Sequence, residues 1–140
     1  MTRPPSYKGY DFEPLSYAVI GACIDVQSQL GLHCKEEDYQ RALTLALNKR
    51  GLHFEREFAI PVLFDGEEVA HRRVDFRIWA ETAELLLETK GRDSLASKDI
   101  EQSLSYLQQA KFSLCLLVNF GEKPLGIRRF VNTFDREDSA

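Results

Sequence analysis

The stretch LLLETKG, residues 85 to 91, ends a strongly apolar run with Glu88 and Lys90 two residues apart. An ion buried without a partner costs several kcal/mol or changes its protonation, so charge at the end of a core strand calls for a reason. A second carboxylate, Asp75 in RRVDFR, lies upstream in another run of strand character. If the two runs form a hairpin centred on Glu81-Thr82, Asp75 falls opposite Glu88 and the two side chains share a face. Side chains alternate along a strand, so Lys90 joins that face and Thr89 leaves it. Facing carboxylates repel, and a divalent cation relieves that repulsion; two hard oxygen donors with a backbone carbonyl and waters suit Mg²⁺. Lys90 could orient or deprotonate a water there and offset charge building on a phosphoryl group. The same three residues also suit a structural Lys90–Asp75 ion pair, and E-x-K alone is a weak motif.

Two further pairs bear on that choice. Gln102 and Tyr106, four apart in SKDIEQSLSYLQQAK, share one helix face, and Glu36 stands one turn before Tyr39 in EEDYQRAL. Singly, the tyrosines suit a core and Glu36 and Gln102 suit solvent. Jointly, they could sit above the strand ends.

The elements that must position these residues follow from periodicity. Leu15, Val19, Ala22, Cys23, Val26 and Leu30 recur at helical spacing between Pro14 and Gly31. Tyr39, Ala42, Leu43, Ala46 and Leu47 form the apolar stripe of a second helix that stops at Gly51. FEREFAIPVLF and VAHRRVDFRIW, joined by Asp65-Gly66, read as a hairpin, and ELLLETKG adds a third strand. Ile100, Leu104 and Leu107 mark a third helix, with Ser97 or Ser94 available as its cap. FSLCLLVNFG suits a strand buried on both faces, and GIRRFV an edge strand. The predicted order is α-α-β-β-β-α-β-β, an α/β fold. One domain over residues 14–132 is expected, between a loosely held arm over 1–13 and a polar tail over 133–140.

Composition narrows the function classes. The chain has 140 residues, 44% hydrophobic and 29% charged, with a net charge of -4. That balance argues against coating nucleic acid through bulk charge, so phosphate contact must be local, for example at Arg72, Arg73, Lys90, Arg92 and Lys98. No run reaches the roughly 18 apolar residues of a membrane span. The N-terminal stretch MTRPPSYKGYDFEP lacks the apolar segment of a secretory signal, so a cytoplasmic location is expected. Cys23, Cys34 and Cys115 have no C-x-x-C spacing, which suggests neither a disulfide framework nor a zinc site.

The ordered set E-x-x-Y, R-V-D-F, L-E-T-K and Q-S-L-S-Y resembles the PD-(D/E)XK nuclease superfamily, in particular the small GxxExxY proteins that are similar to RecB-type nucleases. KRGLHFERE and LLVNFG add to the likeness, which covers roughly Leu15 to Val131. The resemblance implies a restriction-endonuclease-like core, a mixed sheet flanked by helices, and hydrolysis of phosphodiester bonds in DNA or RNA with Mg²⁺ or Mn²⁺. It implies Asp75 and Glu88 as metal ligands, the Thr89 carbonyl as a third donor and Glu36 as a nearby carboxylate. Lys90 would be catalytic, with Gln102 and Tyr106 supporting the site or touching the nucleic-acid backbone. One position departs from the pattern: the glycine expected three residues before Glu36 is His33, which adopts positive φ less easily. The competing expectation is a non-catalytic module of the same fold that binds nucleic acid or a protein. Either would need a partner or a second copy to find its target.

Overall fold

The computed structural model describes residues 13–132; the expected arm and tail lie, but for Glu13, outside the described residues. Two helices, α1 (Glu13–Leu30) and α2 (Glu36–Lys49), precede the strands β1 (His53–Phe64), β2 (Glu67–Ala80) and β3 (Ala83–Lys90). Helix α3 (Ser97–Ala110) then crosses to β4 (Leu114–Asn119) and β5 (Gly126–Val131). This is the order read from the sequence. No helix among the described residues is long and apolar enough to cross a membrane.

The strands form one mixed sheet in sequence order. β1, β2 and β3 make an antiparallel meander, and β5 runs antiparallel to β4. Only β3 and β4 are parallel, because α3 returns the chain to the starting end before β4 begins. At the β1–β2 turn both Asp65 and Gly66 take positive φ, 53° and 79°, the mirror-image turn whose twist matches a hairpin.

Alternation along β3 and β4 sends side chains to two cores. Leu85, Leu87, Leu114, Leu116 and Val118 pack with α1 and α2 residues including Val19, Cys23, Tyr39 and Leu43. Leu86 and Cys115 join Tyr106 and Leu107 of α3 on the other face. Helices therefore cover both faces of the sheet, and a strand such as β4 is buried throughout. Leu30 departs from its expected place in the buried stripe: at the last turn of α1 it has run past the sheet and is exposed. In α2 the stripe includes Gln40, 8% exposed, while Ala42 and Ala46 are only half-buried.

The alternation breaks within β2. Phe76 and Ile78 belong to the α1/α2 core, yet Val74 belongs to the α3 core. The β1–β2 register runs Arg56↔Phe76 and then Phe58↔Val74, passing over Glu57 and Asp75, and Glu57 has φ 55°. The hairpin changes faces at Asp75.

Beyond the parallel pair, the segments after β3 and β4 are joined by Asn119. Its side-chain amide accepts from the N–H of Arg92 at 3.0 Å and donates to the Arg92 carbonyl at 2.9 Å, as a peptide group in a ladder would. The two backbones come so close that a Cβ on Gly121 would lie 2.1 Å from the Arg92 carbonyl oxygen. By contrast, a Cβ on Gly21, within α1, would meet only the Arg50 guanidinium, at 3.7 Å. Gly121→Ala should therefore cost about 3 kcal/mol or more, while Gly21→Ala should stabilise by about 0.5–1 kcal/mol. Denaturant unfolding of the two variants checks this, and a Gly121→Ala protein as stable as the wild type would contradict the close approach.

Candidate active site

The β2–β3 ladder ends at Phe76↔Leu87. One step further, where backbone pairing stops, Asp75 and Glu88 use their side chains in its place. Glu88 Oε1 accepts the N–H of Asp75 at 3.0 Å, and Asp75 Oδ2 accepts the N–H of Thr89 at 2.8 Å. Asp75 Oδ2 also accepts the Thr89 hydroxyl at 2.9 Å. Each carboxylate thus satisfies an amide on the facing strand with one oxygen. Among the described residues the other oxygens, Asp75 Oδ1 and Glu88 Oε2, accept no hydrogen bond; Glu88 Oε2 has only the Lys90 ammonium at 4.0 Å.

Lys90 does not pair with Asp75, as a plain structural ion pair would require. Its ammonium, on a side chain 13% exposed, lies 3.7 Å from Oδ1 of Asp99, a carboxylate on the first turn of α3. Asp99 is buried, receives Arg92 at 2.8 Å, and accepts the Ala96 N–H at 2.9 Å. Ala96, not Ser94 or Ser97, is the N-cap of α3, and Asp99 supplies the capping oxygen. Asp99 is not among the residues that the sequence singles out. Its place at the start of a helical pattern marks it as a capping acid, but nothing local marks it as the partner of Lys90.

The remaining expected residues divide. Glu36 reaches the strand end, its Oε2 accepting the Gly91 N–H at 3.1 Å. Gln102 is exposed and lines a cleft with Lys90, Arg92, Lys98 and Asp99. Tyr106, four residues on, is buried in the α3 core, its hydroxyl donating to the Arg73 carbonyl at 3.2 Å. Tyr39 lies in the other core, stacked on Phe120 at 4.6 Å. Its hydroxyl donates to the Gly31 carbonyl at 2.6 Å and accepts the Cys34 N–H at 3.3 Å, fastening the loop that leads to Glu36. In that loop the positive φ belongs to Gly31, at 80°, and His33 is exposed without it. The loop turns without a glycine at the expected position.

The charges are set by burial. Desolvation pushes the Glu88 carboxyl up to about 8, the neighbouring Asp75 adds to it, and the Asp75 amide and Lys90 counter it only in part. Asp75 is also raised, because desolvation outweighs the hydrogen bonds from Thr89 and the charge of Lys90. At Asp99 burial acts in the same sense, but the Ala96 amide, Lys90 and Arg92 together hold the carboxyl below its ordinary value. Burial likewise raises Tyr106, with the charges of Glu88 and Asp75 adding to it.

Whether this cluster suits a metal can be judged from its donors. Among the described residues no group of three His, Cys, Asp or Glu side chains gathers as a ready-made metal cluster. Two hard oxygens are nonetheless left over, on carboxylates short of compensating charge. That donor set fits a hard divalent cation completed by backbone and water oxygens.

Residues 13–130 match a family model described as the PD-(D/E)XK nuclease superfamily. No curated protein matches the chain.

The raised Glu88 has a consequence for stability. A carboxyl that holds its proton more tightly folded than unfolded contributes stability below its ordinary value, and that contribution is lost as pH rises towards about 8. In chelator, the wild-type denaturation midpoint should fall between pH 5 and pH 9, and the fall should be much smaller in Glu88→Gln. Equal slopes in the two proteins would show that Glu88 is not the group responsible.

Proposed function

The chain belongs to the PD-(D/E)XK nuclease superfamily, and from that premise we propose that it is a divalent-metal-dependent nuclease that hydrolyses phosphodiester bonds in DNA or RNA. Within the superfamily we place it with the small GxxExxY proteins and their RecB-like relatives, on its E-x-x-Y, L-E-T-K and Q-S-L-S-Y motifs. The observation that carries the reading is a half-buried and a buried carboxylate, Asp75 and Glu88, each spending one oxygen on a facing amide, with the second oxygen of Glu88 4.0 Å from a sequestered lysine.

In this reading Asp75 Oδ1 and Glu88 Oε2 hold Mg²⁺ or Mn²⁺, with the Thr89 carbonyl and Glu36 as further donors. The ion, when bound, supplies Lewis-acid polarisation of a phosphoryl oxygen and a more acidic water. Glu88 would have to give up its proton for the site to take an ion, so loading would be easier at higher pH. Lys90 is fixed between Glu88 and Asp99 and presents a positive charge where negative charge builds on the phosphoryl group. It also orients the attacking water. Gln102, with Arg92 and Lys98, contacts the nucleic-acid backbone from the rim of the cleft, and Tyr106 and Tyr39 hold the elements behind it. A cytoplasmic protein working as a homodimer or with a protein partner fits the small core and its acidic balance.

A second reading is favoured by a different observation. Lys90 faces two carboxylates, Glu88 and Asp99, which already answer its charge. A non-catalytic module that binds nucleic acid or a protein would keep that arrangement for stability.

Single- and double-stranded DNA and RNA incubated with the purified protein separate the two. Cleavage should require Mg²⁺ or Mn²⁺, stop with chelator, and fall by about 100-fold or more in Asp75→Asn and in Lys90→Ala. Equal cleavage by wild type and both variants would end the catalytic assignment. No cleavage, together with no divalent binding, would favour the module.

A further inference from the structure

Behind the carboxylate pair runs a line of polar contacts that no sequence motif marks. The Arg56 guanidinium of β1 donates from Nη2 to Oε1 of Gln40 on α2. Gln40 Nε2 donates to the Thr89 hydroxyl at 2.9 Å, and the hydroxyl donates to Asp75 Oδ2 at 2.9 Å. Four elements meet in this line, and both middle residues are buried, Gln40 at 8% exposure and Thr89 at 0%.

Its direction is fixed by chemistry. A guanidinium only donates, so the amide oxygen of Gln40 must face Arg56. The amide nitrogen must then face Thr89, which makes the threonine oxygen an acceptor on that side. The threonine proton is left with one acceptor, Asp75. Arg56 is steadied by the Phe76 ring, which its guanidinium overlies at 5.2 Å, and is held at a cost, since among the described residues its buried Nε has no hydrogen-bond partner.

We infer that Gln40 and Thr89 are positioning residues for Asp75, and that the one-way line from Arg56 pins Oδ2 so that Oδ1 stays turned toward the divalent cation. The functional sense of this inference rests on the metal-site reading; the positioning itself does not. The amide of Thr89 already holds Oδ2 from the strand, and the hydroxyl adds a second bond whose direction is fixed by the Gln40 N–H on the other side of the threonine oxygen. Removing Gln40 takes away the donor that fixes the rotation of the threonine hydroxyl, and the second bond to Oδ2 loosens. Groups behind a metal ligand typically matter by about 10–100-fold in metal affinity.

The test uses the full chain and Mn²⁺ as probe, with binding followed by calorimetry and folding by circular dichroism. Gln40→Met and Thr89→Val, both close in volume to the originals, should weaken Mn²⁺ binding by about 10–100-fold. Thr89→Ser, which keeps the hydroxyl, should stay within about 3-fold of wild type, below that range. Gln40→Met and Thr89→Val variants that melt earlier yet bind Mn²⁺ as wild type does would overturn the inference and leave the metal site standing. Should wild type bind no Mn²⁺, the metal-site reading falls, and the NMR resonances of Asp75, its carboxyl carbon above all, in metal-free protein decide. They should shift in Gln40→Met and Thr89→Val and hold near wild type in Thr89→Ser. Unshifted resonances in the first two would overturn the positioning role.

Discussion

Everything at the site depends on the place where β2 and β3 part. A sheet cannot leave inward N–H groups unsatisfied as two strands diverge, and here the side chains of Glu88 and Asp75 take over from the main chain. That substitution explains why acidic residues stand at the end of a core strand. It also fixes how many oxygens remain, because a carboxylate that has satisfied an amide has one oxygen to offer. Structure and chemistry divide the same two side chains between them.

The rest of the fold supplies what those side chains lack. Burial makes the pair reluctant to carry two charges, and the nearest cation is Lys90, itself shared with Asp99. Asp99 in turn caps α3 and holds Arg92, whose backbone is tied to Asn119 at the end of β4. From the other face α2 contributes Glu36 to Gly91 and Gln40 to Thr89. The strand end is thereby held from both helical layers and from its parallel neighbour.

Much of this was legible in the sequence because it is local. Period-two patterning and the turns at Asp65-Gly66 and Glu81-Thr82 gave the meander with its observed β2–β3 register, so the meeting of Asp75 and Glu88 followed from strand geometry. Helix bounds followed from glycine stops and apolar spacing. What could not be read was set by distant groups. Lys90 chose Asp99 over Asp75 because α3 docks its first turn beside the strand end, and Gln40 is buried because β1 and β3 both bring polar groups to it. The change of faces at Asp75 was hidden for a related reason: it rests on Glu57 of the neighbouring strand adopting φ 55°, which its residue type gave no cause to expect.

The contacts around Asp75 also differ in how far along the chain they reach. The two carboxylates belong to one hairpin and meet across 13 or 14 residues, whereas Gln40 reaches Thr89 across 49 and Gly91 meets Glu36 across 55. Closing a short loop costs less entropy than closing a long one, so the meander can bring its charges together before α2 has docked. The bonds that hold the two carboxylates thus need only a short loop closed, and those that reach them from α2 need long ones. Undocking of α2 would take Gln40 from Thr89 and Glu36 from Gly91 while leaving every hydrogen bond between the two carboxylates and the facing strand in place.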